Sequence, residues 1–135
     1  KEGVMRSMES KLQEACFTWF KLQYPQLEKM YYAIPNGGSR SKRAVTNRAG
    51  KTIYVSLEGK RMKAEGVKAG VSDTFLSVPR KGFHGLYIEF KWGKNTLSDE
   101  QEAFQQIAKQ FGYATAVVYS FDEFVETVNK YLCYG

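Results

Sequence analysis

Cysteine, histidine and proline are scarce in this chain of 135 residues, at two, one and three copies. Cys16 and Cys133 cannot build a disulfide scaffold, a four-cysteine zinc site or an iron–sulfur site. They read as reduced thiols. A lone histidine, His84, excludes zinc hydrolases and histidine–metal nucleases, which need more than one. No nucleophile-elbow sequence accompanies it for a serine triad. No apolar run reaches the ~18 residues of a membrane span. No apolar stretch follows Lys1-Glu2-Gly3-Val4-Met5, so no signal peptide is read there. Residues 1–6 are set aside as a disordered or vector-derived lead. Internal repeats and low-complexity tracts are missing as well.

What is present is a globular composition, 43% hydrophobic, with a net charge of +6. That charge is uneven. Residues 40–68 hold nine Lys or Arg and two Glu, so the whole positive excess lies in this one segment. Such a segment suits a polyanion such as nucleic acid, or it is a solvated, lysine-rich loop and helix. Within it, Gly50-Lys51-Thr52 has the ending of a phosphate-binding loop, but Val45 stands where the first glycine is required. Residues 41–55 are ambiguous, with Thr52–Ser56 readable as a short strand in a hairpin. Leu57–Glu65 reads as a basic helix. Its Lys60, Arg61 and Lys63 can position a phosphate backbone without reading its sequence.

The remaining elements alternate. Ser7–Tyr24 is a helix with Leu12, Cys16, Trp19 and Phe20 on one face, ended by Pro25. Glu9 falls within that apolar stripe, whereas Glu14 falls on the outer face. An acid there is costly unless paired or metal-bound; otherwise the helix starts later and Glu9 is a favourable first-turn acid. Met30–Ile34 is a short strand stopped by Pro35-Asn36-Gly37-Gly38. Ser98 and Gln101 form a capping box for a helix whose expected buried stripe is Phe104, Ile107, Ala108 and Phe111. Residues 113–119 form a buried strand. Ser120 and Glu123 cap a last helix with Phe124, Val125, Val128 and Leu132 inward. Tyr31, Tyr32, Tyr54, Tyr113 and Tyr119 read as core and sheet-face residues, with stacking on single-stranded bases as the alternative. This order predicts an α/β domain with a mixed central sheet flanked by helices.

Two strands carry the chemistry. Thr74–Val78 and Leu86–Phe90 have strand composition, and Pro79–Gly85 supplies turn residues. Alternation places Glu89 and Lys91 on one face and Phe90 on the other. If the register sets Asp73 beside Glu89, two carboxylates and an ammonium converge. Two carboxylates can hold Mg²⁺, and a lysine can stabilise an attacking hydroxide or the charge of a transition state. The alternative is an ordinary hairpin with a surface ion pair.

Five motifs in order resemble the virus-type replication–repair nuclease (VRR-NUC) domain of the PD-(D/E)XK superfamily. They are the helical Glu9, Ile34-Pro35-Asn36-Gly37-Gly38, Gly70-Val71-Ser72-Asp73, Ile88-Glu89-Phe90-Lys91 and Leu97-Ser98-Asp99-Glu100-Gln101. The family's proline before the aspartate is replaced by Ser72, and residues 47–56 have no counterpart. The resemblance implies one αβββαβ domain over residues 7–132. It implies Asp73, Glu89 and Glu9 as ligands of Mg²⁺ or Mn²⁺, Lys91 as the catalytic lysine, and Gln101 as a supporting site residue. It places Asn36, Arg40 and Ser72 where family members line the site or touch substrate; the charge pattern adds Lys42, Arg43, Arg48, Lys60, Arg61 and Lys63 as nucleic-acid-binding candidates. The implied activity is a homodimeric endonuclease cutting branched DNA, four-way junctions first. The alternatives are a monomeric flap or strand-end nuclease and a non-catalytic nucleic-acid-binding module. The implied setting is the cytoplasm of a bacterial or phage-infected cell.

Overall fold

The computed structural model describes residues 2–35 and 42–133, with the backbone alone for residues 2, 42–45 and 53–58. In chain order the elements are α1 (Glu2–Gln23), a 3-10 turn (Pro25–Met30), β1 (Tyr31–Ala33), β2 (Lys42–Thr46), β3 (Thr52–Ser56), α2 (Leu57–Ala64), β4 (Thr74–Leu76), β5 (Leu86–Phe90), α3 (Asp99–Gln110), β6 (Ala114–Val118) and α4 (Phe121–Cys133). The first helix thus starts at Glu2, ahead of the expected Ser7. The chain forms two compact units, Lys1–Ile34 with Gly70–Gly135, and Pro35–Ala69.

The larger unit is built on a four-stranded sheet in the order β1-β4-β5-β6. β1, β4 and β5 pair antiparallel, and β5 and β6 pair parallel. A parallel neighbour needs a long crossover, and α3 supplies it. Leaving out the inserted unit, the order α1-β1-β4-β5-α3-β6 is the expected αβββαβ core, followed by α4.

One face of the sheet is dry. Leu76, Leu86, Ile88 and Phe90 are buried there with Leu12, Cys16 and Phe20 of α1 and Phe124, Val128 and Leu132 of α4. Phe90 stacks on Phe124 with ring centroids 5.8 Å apart, and Tyr31 lies between Phe20 and Phe124. Spacing of four residues along α1 and α4 aims these side chains at the sheet.

α3 covers the other face, in a rotation the apolar pattern did not predict. Gln105 and Ala108 are its buried residues. Ile107 and Phe111, expected inside, are 54% and 68% exposed. Phe104 is half-buried, edge-on to Tyr87 at 5.0 Å. The capping box forms as expected: the Gln101 N–H donates to Ser98 Oγ and the Ser98 N–H to Gln101 Oε1. A second bond of Gln101, described below, turns this side of α3 inward. In the cap of α4, Ser120 Oγ accepts from the Glu123 N–H, but Glu123 reaches back to the Tyr119 N–H.

The smaller unit is a hairpin followed by a helix. β2 and β3 pair antiparallel, with Thr46 opposite Thr52. Asn47 shapes the turn: its Oδ1 accepts from the Ala49 and Lys51 N–H groups, and Gly50 takes φ +77. This side-chain turn chemistry closes the hairpin within the stretch 47–56. α2 follows, with Lys60, Arg61 and Lys63 exposed. No helix among the described residues is long and apolar enough to cross a membrane.

Candidate active site

The antiparallel register pairs Thr74 with Ile88. One step further, just ahead of the start of β4, that register sets Asp73 opposite Glu89. The strands part here, and Phe90 loses the β4 carbonyl it would otherwise bond. The Asp73 side chain takes that place: Phe90 N–H donates to Asp73 Oδ2 at 2.8 Å. On the other side, Ile34 N–H donates to the Asp73 carbonyl at 2.8 Å. Asp73 is therefore held by its backbone from β1 and by its carboxylate from β5.

Glu89 and Lys91 lie on the α3 side of β5 and are nearly closed from solvent, at 2% and 7% exposure. Lys91 Nζ stands 4.0 Å from Glu89 Oε2. Gln101 Nε2 donates to the same oxygen at 3.0 Å. One side chain thus caps α3 through its oxygen and holds Glu89 through its nitrogen. Glu89 Oε1 is buried with no hydrogen-bond partner among the described residues. The segment ahead of Asp73 is anchored at Gly70, which takes φ +87. A Cβ there would lie 2.6 Å from the Glu100 carbonyl in the first turn of α3.

The two carboxyl groups lie within hydrogen-bonding reach of each other, and burial raises both. Burial first, then the charge of Asp73, pushes the Glu89 pKa up to about 9, against the pull of Lys91. Asp73 is raised chiefly by burial, while the Phe90 N–H, Glu89 and Lys91 hold it down. The bond from Phe90 favours charge on Asp73, so Glu89 carries the shared proton.

Glu9 lies on the core-facing side of α1, one turn ahead of Leu12, and is half-buried. Its Oε2 accepts from Asn95 Nδ2 at 2.7 Å. Its charge raises both Asp73 and Glu89. Even so, among the described residues no group of three acidic, histidine or cysteine side chains is placed to hold a metal ion. The donors that converge are Asp73 and Glu89. They fit a hard divalent cation: half-buried Asp73 and buried Glu89 bring two carboxyl groups together beside a single ammonium.

Of the other expected site residues, Ser72 adjoins Asp73 in sequence, and the basic ones belong to the smaller unit. Ser72 is 1% exposed, and its hydroxyl has no partner among the described residues. Arg48, Lys60, Arg61 and Lys63 are exposed in the smaller unit. Lys42 and Arg43 lie on β2, with side chains outside the description, and Asn36 and Arg40 lie outside the described residues. Asn95 is not among the expected site residues, and Tyr119, expected only as a core or sheet-face residue, is tied to it. Tyr119 OH donates to the Asn95 carbonyl at 2.9 Å, which pins the turn that presents Asn95 to Glu9.

A sheet-borne Asp, a Glu-x-Lys on the next strand and a helix crossing over them define a nuclease-type domain of the PD-(D/E)XK fold. The VRR-NUC domain matches residues 7–122, and the chain belongs to that family. The match ends at the start of α4, although α4 supplies much of the dry core. A solved structure described as a VRR_NUC domain protein superposes with a TM-score of 0.72 at 23% identity, over 94% of this chain and 89% of that one. Among curated proteins nothing matches.

Proposed function

We propose that this protein is a divalent-metal-dependent endonuclease that hydrolyses phosphodiester bonds in branched DNA, four-way junctions foremost, and works as a homodimer. The observation that carries the chemistry is the convergence of half-buried Asp73 with buried Glu89 and Lys91, two carboxyl groups beside one ammonium. Asp73 and Glu89 would hold Mg²⁺ or Mn²⁺, which when bound lowers the pKa of a water and neutralises phosphoryl charge. To hold the cation, Glu89 would release its proton to solvent. Lys91 brings its ammonium within reach of the attacking oxygen or the developing phosphorane charge, and Gln101 keeps Glu89 from swinging away. Glu9 adds a third negative charge nearby.

The basic segment 40–68 supports a polyanionic substrate. The exposed Ile107 and Phe111, beside half-buried Phe104 on α3, are apolar surface of the kind a second copy would cover. Two copies related by a two-fold axis would set two sites on opposite strands of a junction.

The test is cleavage of a labelled four-way junction, a linear duplex and a 5′ flap in Mg²⁺, Mn²⁺ or EDTA, with the solution mass measured in parallel. Symmetrical, metal-dependent nicks on the junction by a dimer are expected. Cutting chiefly at the flap by a monomer would replace the junction assignment. Tight binding with no cutting of any substrate would reduce the protein to a binding module.

A further inference from the structure

We infer that Asn95, strapped in place by Tyr119, is a positioning residue that holds Glu9 off the Asp73–Glu89 pair, so that the protein alone offers a cation two carboxylates rather than three. The inference rests on the reading of Asp73 and Glu89 as a cation site and adds to it a control on the third acid.

Three observations carry it. The Asn95 amide donates to Glu9 Oε2 at 2.7 Å across 86 residues of sequence. Asn95 is itself immobilised. Its carbonyl accepts from Tyr119 OH at 2.9 Å, and its N–H donates to the Trp92 carbonyl at 3.1 Å, in a turn where Gly93 adopts φ +61. An amide pinned on both sides of its own backbone cannot follow Glu9 inward. Lastly, Glu9 is near enough for its charge to act on Asp73 and Glu89, yet no three-carboxylate group is assembled among the described residues.

The chemistry gives the arrangement a consequence. A neutral amide holds a carboxylate by one hydrogen bond and adds no counter-charge, so that bond is all that has to be given up for Glu9 to turn toward a cation. A hard cation held by two carboxylates keeps several waters and takes remaining ligands from substrate phosphates. Holding Glu9 back therefore makes cation retention weak in the free protein and dependent on the phosphodiester.

The test is calorimetric titration of the full chain with Mn²⁺ alone. Wild type is expected to bind Mn²⁺ weakly and to lose that binding in Asp73→Asn. Asn95→Ala frees Glu9 and is expected to tighten Mn²⁺ by about tenfold, the low end of what outer partners of metal ligands shift. Adding Glu9→Gln to Asn95→Ala should return the affinity to the wild-type value. Tyr119→Phe, which removes one hydroxyl and leaves Asn95 intact, should tighten Mn²⁺ by a smaller factor. A residue that merely supports the fold, or that aims Glu9 as a ligand, would weaken binding on removal. Unchanged or weaker binding in Asn95→Ala, with Asp73-dependent binding in wild type, therefore overturns the inference and spares the cation site. Absence of Mn²⁺ binding in wild type and Asn95→Ala alike overturns both.

Discussion

The two faces of the central sheet both bury side chains and are finished in opposite ways. On the face under α1 and α4, the hydroxyls of Tyr31 and Thr74 are paired: Tyr31 OH donates to Thr74 Oγ1 at 2.8 Å, and that hydroxyl donates to the Ile88 carbonyl at 3.0 Å, while Ser72 Oγ, just ahead of β4, is buried with no partner among the described residues. On the face under α3, Glu89 Oε1 and Gln105 Nε2 are buried with no partner among the described residues. Two carboxyl groups there share one ammonium. Native proteins rarely leave buried polar atoms unpaired. The first face is thus optimised for packing, while the second holds an electrostatic deficit that a bound cation would relieve.

The sharpest way to break this contrast is to remove the charged groups themselves. Asp73→Ala and Lys91→Ala should each lower cleavage of the preferred branched substrate by about a thousandfold or more. Binding of that substrate, followed by gel shift, should stay within a few-fold. Cutting by either variant at the wild-type rate would refute the assignment. On the dry face, Phe90→Ala deletes a ring stacked on Phe124 and should cost about 3–5 kcal/mol of stability in urea denaturation. A loss below about 1 kcal/mol would mean that this face is less closely packed than the ring stacking implies.

A smaller effect of opposite sign sharpens the comparison further. Glu89 keeps its proton in the folded state up to about 9, whereas its ordinary value is 4.5. The folded protein therefore binds more protons than the unfolded chain between those values. The associated stability is full below 4.5 and is lost as pH rises toward 9. In EDTA, Glu89→Gln should abolish that decline. It should raise the melting temperature at pH 8 by about 5 °C, the change that about 1.4 kcal/mol of added stability produces in a domain of this size. A lower melting temperature in the variant at pH 8 would contradict the proposed deficit.

Much of the site was legible because strand geometry is periodic. Asp73, Glu89 and Lys91 could be aligned from a short turn and alternation alone, and the observed pairing of Thr74 with Ile88 has the required register. The position of Glu9 within the stripe of Leu12, Cys16 and Phe20 followed from helix angles, and it does face inward. The rotation of α3 was misread. Of the expected stripe Phe104, Ile107, Ala108 and Phe111, Ala108 is buried and Phe104 half-buried, but Gln101 bonds Glu89, and Gln105 on the same side of the helix is buried in place of Ile107 and Phe111. Polar residues that serve a site can set the inner face of a helix against its hydrophobic pattern. Residues 41–55 stayed ambiguous because a short hairpin organised by one asparagine has little periodicity to read.

The sequence by itself determined the αβββαβ order, the capping of α3 and α4, the placement of Glu89 and Lys91 on one side of β5, and the confinement of excess positive charge to residues 40–68. These are local properties, set by side-chain period, turn chemistry and composition. Only the tertiary structure decided which face of α3 meets the sheet, that Gln101 serves the cap and the site together, and that Asn95 holds Glu9. Each of these depends on atoms from segments far apart in the chain meeting within about 3 Å, the range in which a hydrogen bond forms.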